Sequence, residues 1–347
     1  MTALTTTPGD TLHRAFFLTA VNVTTFWRHN MTDLRNYIST HSLRSPLQAA
    51  AGEVILALSA AAAQIATLIR EPDSSADFAA AQGSANADGD TQKALDVICD
   101  EIVASALAAA GVATYLSEER EEPVPMNEDG LVIVACDPLD GSSNIDTNLS
   151  IGTIFSLLPA AAGPLQPGRN QLASGFFVYG PQTTLLLTMG EGVHTFQMDA
   201  SGVFHLLDWA VSIPAQTSEF AINAANARFW HAPAAAYVAD CIAGAEGPRG
   251  RDFNMRWLGS LVADSWRIFR RGGVFLYPGD RRAGYSEGRL RLIYEAAPVA
   301  FLVEQAGGRA TDGTNAIMDV VPDFLHQRVP FMFGSGTEID EIIRHHS

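Results

Sequence analysis

Basic residues are scarce in this chain of 347: 22 Lys and Arg stand against 38 Asp and Glu, a formal net charge of −16. No dense basic run occurs, so the clustered cations that grip a nucleic-acid backbone are missing and a nucleic-acid partner is excluded. An anionic ligand would need cations to mediate. Cysteine is scarce as well. Cys99, Cys136 and Cys241 are odd in number and scattered, with no CxxC pair and no zinc-ligand spacing, which fits a reducing, cytoplasmic setting. No apolar run reaches the roughly 18 residues of a membrane span. The stretch 15–26 is broken by Asn22, Thr24 and Thr25 and no cleavage pattern follows it, so neither membrane insertion nor secretion is expected. Hydrophobic residues, by contrast, make up 47% of the chain, which excludes disorder and allows one large or two ordinary domains.

Residues 1–30 read as a Thr-rich tail. Ser45 suits a helix N-cap and Pro46 the first helical position; residues 47–69 carry apolar side chains at helical spacing until Pro72. Residues 73–90 are small and polar, with too little bulk to pack, and predict a mobile loop. Thr91 should open a second helix, with Leu95, Ile98, Ile102 and Leu107 on one side, ending near Gly111. Short apolar runs at 112–116 and 131–135, each followed by carboxylates, predict strands, as do 151–158, 173–179, 183–188 and 192–197. Beyond Ile213-Pro214 the pattern turns mixed, with strands at 220–223, 274–277 and 290–294. Helices are expected at 233–243, 260–270 and 298–305, the last stopped by Gly307-Gly308. The class is α/β, with domains 1–212 and 213–347.

Four acidic sites follow apolar segments or helix edges: Asp90 with Asp96, Glu118-Glu119, Asp137 with Asp140, and Glu295. Carboxylates crowded at strand ends repel unless protons or cations intervene, and Mg2+, a hard cation that prefers oxygen, is the natural neutraliser. Two such ions can clamp the attacking and leaving oxygens of phosphoryl transfer. Within 137–146 (DPLDGSSNID), Pro138 and Gly141 suggest a tight turn that aims Asp137 and Asp140 at one metal pair, with the Leu139 carbonyl as a neutral ligand. Gly141, Ser142 and Ser143 then stand at an expected helix N-terminus, where phosphate binds readily. No GxSxG elbow surrounds those serines, so phosphate cradling is the better reading than nucleophilic attack. Cys136 reads as a small buried hydrophobe, Arg267, Arg270 and Arg271 as a solvated helix end, and His345-His346 as a solvated tail.

The ten-residue string resembles the signature of class I fructose-1,6-bisphosphatases. Further matches fall in the family's order: GDTQKALDVICDEIV (89–103), LSEE (116–119), SIGTIFSL (150–157), RWLGSLVAD (256–264), GGVFLYP (272–278) and RLRLIYEAAPVAFLVEQAGG (289–308). The resemblance implies a layered α/β/α/β/α fold of two domains that hydrolyses the 1-phosphate of a sugar bisphosphate with a metal-activated water. It implies two or more Mg2+ per site, with Mn2+ as the alternative, held by Glu118, Glu119, Asp137, Asp140, Glu295 and the Leu139 carbonyl. Asp90, Asp96 and Glu119 would be catalytic; Asp140, Gly141, Ser142 and Ser143 would surround the 1-phosphate and sugar. Asn223, Arg256, Tyr277 and Arg289 resemble the pocket for the distal 6-phosphate, Arg256 reaching in from a neighbouring subunit, which implies a homo-oligomer, a tetramer in the family. Two tyrosines expected near that pocket are Asn226 and Trp257 here, which suggests room for the seven-carbon sedoheptulose 1,7-bisphosphate. Positions matching the AMP contacts of animal forms are Leu131, Val132 and Pro159, so AMP inhibition through that site is not expected. The alternatives are an inositol- or nucleotide-phosphate phosphatase of the same superfamily and a non-catalytic sugar-phosphate sensor.

Overall fold

Alternation of side chains along extended backbone organises the molecule. The computed structural model describes residues 32–42, 45–71, 81–85 and 91–347. Two short strands, β1 (Ala81–Ala85) and β2 (Thr91–Lys93), pair with each other. Strands β3 (Thr114–Ser117), β4 (Val124–Pro125), β5 (Val132–Asp140), β6 (Ile151–Pro159), β7 (Ala173–Tyr179), β8 (Thr183–Thr188), β9 (Val193–Met198) and β10 (Phe204–Val211) form an eight-stranded sheet. Its order is β10-β9-β8-β7-β6-β5-β3-β4, and β3 with β5 is its parallel pair. A second sheet of five joins β11 (Glu219–Ala221), β12 (Asn254–Met255), β13 (Val274–Tyr277), β15 (Arg309–Thr311) and β17 (Phe331–Gly334), while β14 (Leu290–Arg291) pairs with β16 (Arg328–Val329).

Because successive side chains point to opposite faces, neighbours in sequence enter different cores. Phe155, Phe177 and Leu185 pack with Val54, Ile55 and Leu58 of the Pro46–Arg70 helix and with Leu95 and Val103 of the Ala94–Ala109 helix. Their neighbours Ile154, Phe176 and Leu186 enter a second core with Val262 and Ile268 of the Leu261–Arg271 helix and Val299 and Leu302 of the Ala297–Gln305 helix. That core also takes Phe275 and Phe333 from the five-stranded sheet. The other face of that sheet, with Val274, Leu276 and Met332, meets Tyr237 and Val238 of the Ala232–Ile242 helix and Ile339 and Ile342 of the Gly336–His346 helix. The layers therefore run α/β/α/β/α. Each fully buried Phe, Leu or Ile among them contributes roughly 1.5–3 kcal/mol.

The Pro46–Arg70 helix begins as its sequence requires: the Ser45 side chain accepts the Gln48 N–H at 3.1 Å and Pro46 occupies the first turn. Its 25 residues are long and apolar enough to cross a membrane by composition, which corrects the reading of the sequence; its apolar face is part of the first core.

Other expectations also change. Of the loop expected at 73–90, only 81–85 lies among the described residues, as strand β1; Asp90 lies outside them. The second helix starts at Ala94 because residues 91–93 pair with β1 instead. The expected strand at 290–294 survives only as β14, after which Leu292–Ala296 winds into a π-helical turn. The strand β10 and the helices Leu34–Ser42 and Gly336–His346 were not foreseen. His345 and His346 form the last turn of that final helix, His345 lying against the Tyr237 ring and 3.2 Å from Asp240, so they are not a solvated tail. Arg267 is likewise enclosed, bonded to Glu219 and Asp264, while Arg270 pairs with Asp208 and Arg271 with Glu219.

Candidate active site

Strand β5 is buried along its whole length and ends in carboxylates. Its parallel neighbour β3 delivers Glu118 alongside, with the Glu118 N–H donating to the Cys136 carbonyl at 3.0 Å. The DPLD segment is not the tight turn the sequence suggested. It continues the strand through a bulge: Asp137 faces Ile154 and Asp140 faces Gly152, so three residue steps on β5 match two on β6. The Thr153 hydroxyl ties the bulge down by donating to the Pro138 carbonyl at 2.8 Å, and Asp137 Oδ1 accepts the Leu139 N–H at 3.0 Å. Gly152 is required there, since a Cβ would stand 2.1 Å from the Phe177 carbonyl and 2.7 Å from Val262.

Asp140 points into the first turn of the Leu261–Arg271 helix. Its Oδ2 accepts the Val262 N–H at 2.9 Å and the Ser260 hydroxyl at 3.2 Å. Ser260 is also the N-cap of that helix. The π-helical turn brings in Glu295, whose Oε2 accepts the Arg291 N–H at 2.6 Å. One oxygen each of Asp137, Asp140 and Glu295 lies within 4.8 Å of the others, and all three residues are buried. Burial first, then Glu118 and neighbouring acids, push the Asp137 and Glu295 carboxyls well above their ordinary values. Burial raises Asp140 to about 6, against the lowering pull of the Val262 N–H and the Ser260 hydroxyl. The guanidinium of buried Arg291 pairs with Glu118.

A buried, oxygen-only cluster that repels itself fits a hard divalent cation. Asp96, in the first helical turn of Ala94–Ala109, is buried as well. The thiol of Cys99 is pushed up by burial and then by Asp96, Asp100, Asp137 and Glu119, which places these acids in one neighbourhood. Cys136, as expected, is a buried free thiol, its acidity suppressed first by burial and then by Asp137. Asp100 receives three donors: Tyr115 Oη at 2.8 Å, Ser117 Oγ at 2.7 Å and Arg120 Nε at 2.6 Å. Those residues bracket Glu118 and Glu119, and Ser117 Oγ in turn accepts the Glu119 N–H at 3.2 Å.

Gly141 leaves the strand at φ +79°, and Ser142–Asn144 makes one 3-10 turn rather than the helix expected from the sequence. Asn144 Nδ2 donates to the Gly259 carbonyl at 3.2 Å, fixing the turn against the Ser260 cap. A separate pocket gathers Asn223, Asn226, Tyr277, Arg282, Tyr285 and Arg289. Three of the expected distal-phosphate residues are thus together. Arg256 is elsewhere, exposed and 3.3 Å from Glu219, and Trp257 stacks on Phe275. Sequence reasoning missed Arg291, Asp100, Ser260 and Tyr285. The alternation Arg289-Leu290-Arg291 did carry a signal, since in extended backbone it sets two cations on one side.

The family models "Fructose-1-6-bisphosphatase, N-terminal domain" and "Fructose-1-6-bisphosphatase, C-terminal domain" match residues 34–208 and 213–347. A fructose-1,6-bisphosphatase class 1 of Azorhizobium caulinodans is 51% identical over 319 residues, 89% of this chain and 97% of the relative. That of Sinorhizobium medicae is 53% identical over 302 residues, 84% of this chain and 86% of the relative. The crystal structure of Leishmania major fructose-1,6-bisphosphatase in holo form superposes with a TM-score of 0.84 at 32% identity, covering 91% of this chain and 99% of the other. Enzymes of this family are in general metal-dependent, in keeping with the carboxylate cluster. The chain belongs to the class 1 fructose-1,6-bisphosphatases and is a phosphoric monoester hydrolase acting on fructose 1,6-bisphosphate.

Proposed function

We propose that Glu118, Glu119, Asp137, Asp140 and Glu295, with the Leu139 carbonyl, hold two or more Mg2+ ions, Mn2+ being the alternative. The observation that carries this is the buried convergence of Asp137, Asp140 and Glu295 within 4.8 Å. When bound, such ions supply neutralisation of phosphoryl oxygens and activation of water. The chain's own residues orient and exchange protons. Asp140, Gly141, Ser142 and Ser143 flank the 1-phosphate and sugar, held in place by the Ser260 cap and the Asn144 contact to Gly259. Asp96 and Glu119, with Asp90, take up the proton of the attacking water. Asn223, Tyr277 and Arg289 grip the distal 6-phosphate, for which a guanidinium offers a bidentate fork. The products are fructose 6-phosphate and phosphate.

Asn226 in the pocket wall supports turnover of sedoheptulose 1,7-bisphosphate as a second substrate. Arg256 stands between exposed Met255 and Leu258, a surface suited to a neighbouring subunit of a homo-oligomer, a tetramer by resemblance. The domains meet at 212/213, where the Ile213 N–H donates to the Ala306 carbonyl at 2.9 Å. Three buried free cysteines suit a cytoplasmic enzyme.

The test measures phosphate release from both sugar bisphosphates, with Mg2+ and with chelator, for wild type and Asp140→Asn. Chelation should abolish turnover, and Asp140→Asn should lower it by roughly a hundredfold or more. Turnover indifferent to chelator would sink the metal assignment. A preference of several hundredfold for the shorter sugar would remove the second substrate.

A further inference from the structure

We infer that Tyr285 is a specificity-determining residue for bisphosphate over monophosphate substrates. The inference rests on reading the pocket of Asn223, Tyr277 and Arg289 as the distal-phosphate site. Tyr285 comes from the connection between β13 and β14, which folds back on itself. Its carbonyl accepts the Asp280 N–H at 2.9 Å and the Gly288 N–H at 3.1 Å, and its own N–H donates to the Arg282 carbonyl at 3.1 Å. Gly288, at φ +78°, lets the chain turn into β14, where a Cβ would meet the Val329 carbonyl at 2.4 Å. The backbone therefore fixes where the Tyr285 ring stands.

That ring lies between two guanidiniums, with Arg282 Cζ 4.3 Å and Arg289 Cζ 4.6 Å from its centroid. The two cations differ in what neutralises them. Arg282 is paired with Asp280, and neighbouring Arg281 donates to the carbonyls of Arg228 and Phe229. Arg289, among the described residues, has no carboxylate partner. Its Nη1 donates to the Tyr285 hydroxyl at 3.0 Å. A hydroxyl that accepts from Arg289 keeps its own O–H to donate. Tyr285 thus aims the uncompensated cation of the pocket and adds a neutral donor beside it, the combination that suits a phosphate dianion.

The test compares fructose 1,6-bisphosphate with fructose 1-phosphate, the same sugar without the distal phosphate, on the Mg2+-loaded enzyme. Tyr285→Phe keeps the ring between the two guanidiniums and removes only the hydroxyl. It should raise KM for the bisphosphate about tenfold with kcat within about twofold, and leave fructose 1-phosphate kinetics unchanged. Calorimetric binding of fructose 6-phosphate should weaken by the same factor. An equal change on both sugars would assign Tyr285 a general structural role, and no change on the bisphosphate would leave it idle; either overturns the inference. Arg289→Met serves as the control. If that variant penalises both sugars equally, the pocket does not bind the distal phosphate and the underlying reading fails with the inference. If it penalises only the bisphosphate while Tyr285→Phe is silent, the reading stands and the inference alone falls.

Discussion

Asp140 answers to two partners at once, the carboxylates around it and the helix that begins at Leu261. The Val262 N–H and the Ser260 hydroxyl favour its charged form, yet burial and the charges of Glu118 and Asp264 lift its pKa from 3.8 to about 6. Between about pH 4 and 6 the metal-free folded chain holds a proton here that the unfolded chain has released. Its contribution to stability is therefore present below about 4 and is lost as pH rises through 6. Asp137 and Glu295, pushed up by burial and then by Glu118, act in the same direction. A divalent cation replaces those protons, so its stabilising effect must grow with pH. The difference in Tm between Mg2+-saturated and chelator-treated protein should be larger at pH 8 than at pH 5; an increment that is flat or shrinks would contradict this account of the cluster.

Among elements, the exit of β3 carries Glu118 and Glu119, proposed above to hold metal, and its supports lie on other elements. Asp100, one helix away, collects Tyr115, Ser117 and Arg120 on its two oxygens, and His326 lies 3.0 Å from the Arg120 carbonyl on the far side. Glu118 and Glu119 sit inside that bracket. Groups of this kind change metal affinity by about 10–100-fold when lost. Asp100→Ala should raise the half-saturating Mg2+ concentration within that range while the sugar KM stays near wild type. Asp100→Asn, which still accepts from Tyr115 and Ser117, should recover part of the affinity. Titration of Mn2+ by electron paramagnetic resonance reads the same shift without turnover, and unchanged metal affinity in the Ala variant would remove the role.

The legible elements were those whose pattern has one cause. Residues 173–179, 183–188 and 274–277 read as strands because they are almost wholly buried on both faces and are built on short runs of Phe, Val and Leu. Ser45-Pro46 marked a helix start through capping chemistry. β10 was hidden because it is an edge strand with a shifting register and exposed Leu207 and Trp209, so no clean alternation reaches the sequence. The DPLD bulge and the π-helical turn were hidden for another reason. The Thr153 contact to Pro138 and the pairing of Arg291 with Glu118 of the neighbouring strand end hold them in place of the turn and strand that local preference favours. The carboxylates were legible as a set because acids at strand ends need an explanation. Asp100 was not, since an acid on a helix has an ordinary solvated reading until Tyr115 and Ser117 are seen to face it.

At the scale of the whole molecule, the two halves share a layer. The Leu261–Arg271 and Ala297–Gln305 helices belong to the C-terminal half, yet they pack with Ile154, Phe176 and Leu186 of the eight-stranded sheet. A fragment of residues 34–212 would leave that apolar face to water. Expressed alone it should aggregate or bind a hydrophobic dye strongly, and co-expression with residues 213–347 should suppress both. A well-behaved, dye-negative fragment would show that the eight-stranded sheet is self-sufficient.

The shared layer also sets a schedule for biosynthesis. The last helix that covers the sheet, Ala297–Gln305, is made roughly ninety residues after β10, the final strand of that sheet. At usual elongation rates the nascent chain presents a finished but uncovered sheet for roughly 5–20 seconds. Chaperone engagement should concentrate in that window and end once the segment around Leu302 has emerged.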